Sequence, residues 1–250
     1  MKNRVCLFAM IIFFTIGQVV AFADVDENLQ KADELFEEGG LNNFQQSIDI
    51  YKSIISEEPE NFEAHWKLAR ALREYGEEHR RLGTEGYEDV CSRYGKEGMS
   101  YAERAIEMEP DRVEGYLYYG MNVGTYSEGV GTLTALREGL KNKTQANLEK
   151  AYELDPHFAN GTPIFVLGRF WQVVPWPYTD RDKAESLYRE FQATAYYEQN
   201  VESRIFMAEL LNRKRGDEHK DAARQMLEEV LELEAHEYWH LQATRMLEDM

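Results

Sequence analysis

One spacing recurs along this chain and restricts what it can fold into: a small residue, an apolar one four positions later, another three further on, and a proline five beyond that. It occurs as Ser47, Tyr51, Ile54, Pro59, as Gly98, Ala102, Ala105, Pro110, and as Thr144, Leu148, Ala151, Pro156. Weaker copies without the proline follow as Ala184, Tyr188, Phe191 and as Ala223, Leu227, Val230. Steps of four and three place side chains on one face of a helix, small residues let a neighbouring helix approach, and proline ends the helix. A second set of helices is expected before these: Asn28 to Glu38, Phe62 to Glu78, Val113 to Val123, Pro163 to Val174 and Val201 to Arg215. The expected class is all-α, with about five helix pairs and a closing helix from Ala235 to Met250 in a single domain over residues 24–250.

Helix pairs with this signature are tetratricopeptide-like (TPR-like) repeats, here degenerate. Their usual period is about 34 residues, whereas Pro59 to Pro110 is 51 residues and Pro110 to Pro156 is 46. The surplus predicts insertions between the helices of a pair, at Arg80 to Lys96 and Thr125 to Leu140, where they would emerge along one side as a binding surface. A rigid, non-helical elbow is expected at Val174-Pro175-Trp176-Pro177-Tyr178. The joint between repeats falls in Ala151 to Pro177. There Gly168 lies mid-helix despite a cost of about 1 kcal/mol relative to alanine, which implies a packing notch.

Residues 1–23 differ from the rest. Lys2 and Arg4 precede the apolar Val5 to Ile16, and Ala21-Phe22-Ala23 has the spacing of a signal-peptide cleavage site before Asp24. An uncleaved anchor over Val5 to Ala23 is the alternative. Cleavage would remove two of 28 basic residues and none of 46 acidic ones, leaving a formal charge of -20. Such a surface repels nucleic acid and anionic lipid. Cys6 would leave with the signal, Cys91 would remain alone without an intrachain disulfide, and no cysteine follows Ala23 to carry a lipid.

His236-Glu237-Tyr238-Trp239-His240 has the HExxH spacing of a zinc peptidase. Only ten residues follow it, too few for a downstream helix carrying a third ligand, so no metal, cofactor or catalytic residue is expected and a zinc hydrolase is the lesser alternative. Gly129-Val130-Gly131 lacks the Lys-Ser or Lys-Thr of a phosphate loop and is read as a turn. Asn142-Lys143-Thr144 has the N-glycosylation spacing, relevant only in a eukaryote. Acidic runs such as Glu57-Glu58 and Glu228-Glu229 are read as solvated helix faces.

In order along the chain, Ala102 to Pro110 (AERAIEMEP), Tyr118 to Gly124 (YYGMNVG), Leu148 to Pro156 (LEKAYELDP), Leu167-Gly168-Arg169, Val174-Pro175 and Phe206 to Leu211 (FMAELL) make the chain resemble the TatT family, the tetratricopeptide T components associated with TRAP transporters. The resemblance implies a periplasmic helical-repeat protein, a homotrimer in at least some members, that partners the transporter's solute-binding protein. It also implies a cleft holding or passing a hydrophobic organic acid. The expected ligand or partner contacts are Tyr118, Asn122, Tyr126, Arg169, Trp171, Trp176 and Tyr178. Trp176 and Tyr178 are expected exposed in the elbow, while Trp171, like Tyr119 and Phe170, is also placed to be repeat core. Arg169 can meet a ligand carboxylate or a structural Asp or Glu. A general interaction module for a protein or peptide is the alternative function.

Overall fold

The computed structural model describes residues 25–250, so the expected signal over 1–23 lies outside the described residues. Among the described residues twelve α-helices follow one another: α1 (25–38), α2 (Leu41–Glu57), α3 (Phe62–Leu82), α4 (Tyr87–Met108), α5 (Val113–Val130), α6 (Thr132–Arg137), α7 (Leu140–Leu154), α8 (Phe158–Val173), α9 (Arg181–Gln192), α10 (Val201–Asn212), α11 (Asp217–Glu232) and α12 (Glu237–Glu248). They pair as α1/α2, α3/α4, α5/α7, α8/α9 and α10/α11, with α12 closing the stack, the arrangement that the repeated spacing predicts. No described helix is long and apolar enough to cross a membrane.

Capping explains where several helices begin. Asn61, Asp180 and Asn200 each accept a hydrogen bond from the backbone N–H three residues on, at 2.9, 2.9 and 2.8 Å, which satisfies a donor that the first turn leaves free. In α8 the backbone is left-handed from Ala159 to Gly161, so regular helix starts beside Pro163, where a missing N–H costs nothing.

Burial then joins the pairs. Ile48, Tyr51, Leu68 and Leu72 are fully buried among α1 to α3. Trp66, Ala102, Tyr118 and Tyr119 bury α3 to α5, and the largest cluster, including Leu148, Ile164, Tyr188 and Leu210, runs from α5 to α12. Met121 and Phe158 pack against both of the last two, so the core is continuous along that part of the stack. Gly168 is the expected notch: a Cβ there would stand 2.9 Å from the Tyr188 ring of α9.

Two expectations are corrected. The surplus residues do not emerge as loops, because α3 and α4 grow to 21 and 22 residues and only Gly83 to Gly86 separate them. The second surplus extends α5 to Val130 and adds α6. The cause is a stripe of small residues on α4, Cys91, Gly95, Gly98, Ala102 and Ala105, which continues the packed face past the usual repeat length. Gly129, expected in a turn, lies inside α5. Its position for a Cβ is 2.3 Å from the Glu88 carbonyl oxygen of α4, and that of Gly95 is 2.5 Å from the Tyr126 nitrogen of α5. Here two backbones touch, and only glycine fits between them.

Candidate ligand-binding cavity

The first helices of the last four pairs turn one face each toward a common cavity of about 750 Å³. The lining positions follow helical steps of three and four: Arg73, Glu77 and Arg80 on α3, Met121, Thr125 and Glu128 on α5, Val166, Arg169, Phe170 and Val173 on α8, and Glu202, Ile205, Phe206 and Glu209 on α10, with Arg213 just past its end. Leu136 of α6, Leu140 and Leu148 of α7, and Trp239 and Met246 of α12 complete an apolar wall, with Gln242 of α12 beside it. The charged side chains lie mainly on α3, α5 and α10, so the cavity has an ionic strip and a greasy flank.

The extra turns of α3 give this cavity its closure. Arg80 donates to the Tyr238 hydroxyl and its guanidinium lies 4.9 Å from that ring's centre, while His236 stands 3.9 Å from Glu78. The second repeat thus meets the last helix across 158 positions of sequence, bridging the concave side.

Charge on α3 is largely satisfied within α3. Arg73 binds Glu74, Arg80 binds Glu77 at 2.7 Å, and Arg81 binds Glu74 and Glu78 at 2.9 and 3.1 Å. Burial alone would raise the carboxyls of Glu74 and Glu77, but the surrounding arginines, Arg73 foremost, outweigh it and hold both below the ordinary carboxylate value. Glu128 and Glu202 go the other way. Burial raises both, with Arg80 opposing at Glu128 and Arg73 at Glu202.

These opposite shifts predict opposite pH signatures. A depressed carboxyl contributes stability above its unfolded-state pKa and loses it as pH falls, whereas a raised one destabilises when ionised and is relieved on protonation. Glu77→Gln should therefore lower the melting temperature near neutral pH and converge on wild type in acid. Glu202→Gln should raise it near neutral pH, its difference closing at a higher pH than that of Glu77→Gln. Melting curves between about pH 3 and 8 check this, and equal signs for the two variants would refute the assignment.

The expected contacts fall into three groups. Tyr118, Asn122, Tyr126 and Trp171 are all buried, and each has a partner within the fold. Tyr118 stacks on Trp66 at 5.8 Å, and burial pushes its hydroxyl up to about 12. Asn122 donates to the Ala69 and Tyr118 carbonyls at 2.9 and 2.8 Å. Tyr126 donates to Glu138 at 2.8 Å, and Lys183 lies 4.1 Å over the Trp171 ring. Trp176 and Tyr178 are 86% and 46% exposed in the elbow. Arg169 alone of the seven lines the cavity, where it pairs with Glu209 at 2.6 Å and covers the Phe206 ring at 4.3 Å.

The two HExxH histidines have other partners. His236 caps α12 by accepting from the Tyr238 N–H at 3.1 Å, and His240 meets the Leu233 carbonyl at 3.0 Å. Among the described residues, no three His, Cys, Asp or Glu side chains converge as a metal site. Cys91 is fully buried, and burial pushes its thiol up to about 12.

Stacked helix pairs around a concave cavity define a TPR-type helical repeat protein. Residues 28–250 match the family model described as Regulator of microtubule dynamics protein 1-3, and the chain belongs to that family. Its fold is similar to that of TTC0263, a thermophilic TPR protein of Thermus thermophilus, with 16% identity, a TM-score of 0.62, and coverage of 89% of this chain and 98% of that one. It is also similar to human IFIT1, solved as a dimer with m7Gppp-AAAA, at 14% identity and a TM-score of 0.66, over 90% of this chain but 47% of that one. A search of the curated proteins found no match.

Proposed function

We propose that this chain is a non-enzymatic binding scaffold whose concave cavity takes an apolar ligand and whose proline elbow contacts a protein partner. The cavity carries the proposal. Its volume of about 750 Å³ lies within the roughly 300 to 1,000 Å³ common for small-molecule sites, and its apolar wall can bury a ligand that the ionic strip orients. Solenoid repeats present their concave surface for binding. The resemblance to TatT and the signal-like residues 1–23 support a finer form: a periplasmic homotrimer that partners the solute-binding protein of a TRAP transporter and holds a hydrophobic organic acid. An interaction module for peptides would use the elbow without needing the cavity.

Val173 lines the cavity at the end of α8 and is 40% exposed, so a tryptophan there would fill space without disturbing the core. Wild-type protein should bind the neutral fluorophore N-phenyl-1-naphthylamine saturably, and Val173→Trp should weaken that binding about tenfold, or about 1.4 kcal/mol, at an unchanged melting temperature. Absence of saturable binding, or identical affinity in the variant, would reject the cavity as a ligand site.

A further inference from the structure

We propose that α12 is a gate on the cavity, latched shut where its Tyr238 meets Arg80 of α3, and that ligand passes when this contact parts. This rests on the cavity's holding an apolar ligand and concerns how that ligand enters and leaves.

Helix α12 covers one side of the cavity with Tyr238, Trp239, Gln242 and Met246, yet it is lightly seated. Of its twelve residues only Trp239 and Ala243 are buried, whereas α10, also twelve residues long, buries eight. An element with few buried contacts opens locally at a fraction of the free energy of global unfolding. The non-helical link over 233–236 supplies a pivot. His240, through the Leu233 carbonyl at 3.0 Å, keeps α12 tied to the end of α11 as it moves.

The α3 side of the latch is fixed. Arg80 is held by Glu77 at 2.7 Å, and Glu77 in turn accepts from the Thr125 hydroxyl of α5 at 3.0 Å. Parting from Tyr238 therefore leaves Arg80 paired, with no stranded charge to oppose opening. What is lost is one hydrogen bond from a charged donor and one guanidinium–ring contact at 4.9 Å. Together these hold an opening equilibrium back by about tenfold or more. His236 stands 3.9 Å from Glu78, beyond hydrogen-bond reach, and Glu78 already has Arg81 at 3.1 Å. Tyr238 is thus the residue whose loss frees the helix.

A weakened gate speeds entry and exit alike, whereas a lost ligand contact speeds exit alone. Stopped-flow mixing with N-phenyl-1-naphthylamine reads both rates. In Tyr238→Ala the association and dissociation rate constants should each rise about tenfold, while Kd stays within about threefold of wild type. Tyr238→Phe keeps the ring and loses the hydroxyl, so both rates should rise by less, and it carries the test if the alanine variant does not fold. An association rate equal to that of wild type in the folded variants would overturn the gate and leave α12 a fixed wall of an intact binding cavity. Failure of the fluorophore to bind wild type saturably would overturn both.

Discussion

Gly129→Ala is expected to destabilise the protein by about 3 kcal/mol, while Gly124→Ala, five residues earlier on the same helix, stabilises it by about 0.5 to 1 kcal/mol. Both substitutions exchange glycine for a better helix former inside α5. They differ in what the new methyl group meets. At Gly124 nothing lies within 4 Å, whereas at Gly129 the Cβ would stand 2.3 Å from the Glu88 carbonyl oxygen and 2.5 Å from the Ser92 nitrogen of α4. Those atoms are backbone and cannot rotate away, so α4 and α5 must separate along a crossing that Gly95 and Gly98 also bring close. Overpacking of this kind costs about 1 to 3 kcal/mol, and an unyielding neighbour places it at the upper end. Urea midpoints of the two variants measure the difference. Equal shifts, or a neutral Gly129→Ala, would show that α5 does not pack on α4 through this glycine.

That crossing also marks where the sequence could and could not be read. Helix pairing was legible because Pro59, Pro110 and Pro156 punctuate repeats whose small residues recur at steps of four and three. The lengthening of α3 and α4 was hidden by comparing proline intervals with a fixed repeat period, which converts extra helical turns into supposed loops. The better signal was local. Cys91, Gly95, Gly98, Ala102 and Ala105 continue one small-residue face without interruption, and an insertion looping out of the pair would have broken it. Gly129 belongs to the same contact from the other side, but a glycine two residues from Gly131 looks like turn chemistry when no partner helix is in view.

The cavity was less legible, and for a different reason. Its lining is set by the curvature of the stack, which brings Arg80 of α3 to Tyr238 of α12 and places Glu128 and Glu202 on one concave surface. No spacing within a single helix encodes that meeting. Aromatic richness pointed instead to Tyr118, Tyr126 and Trp171, which the fold uses for packing. Arg169 was recognisable as a charge beside the repeat joint, yet its choice of Glu209 depends on a helix 40 residues away.

Trp176 and Trp171 should separate binding from stability. Trp176 is 86% exposed in the elbow and Trp171 is 9% exposed in the core, although only four residues lie between them. Under the proposed TRAP association, Trp176→Ala should lower the affinity for the solute-binding protein roughly thirtyfold, about 2 kcal/mol, because interface energy concentrates in a few aromatic anchors. Its melting temperature should barely move, since an exposed indole supports little packing. Trp171→Ala should behave in the opposite way and lose about 3 kcal/mol of stability through the cavity it leaves, with binding by the folded fraction retained. Affinity by interferometry and stability by urea titration on the same preparations give both readouts. Should Trp176→Ala bind that partner as wild type does, the elbow is not its contact and the TRAP-associated reading loses its structural anchor. A proportional fall in both quantities would instead place Trp176 among the packing residues, against its exposure.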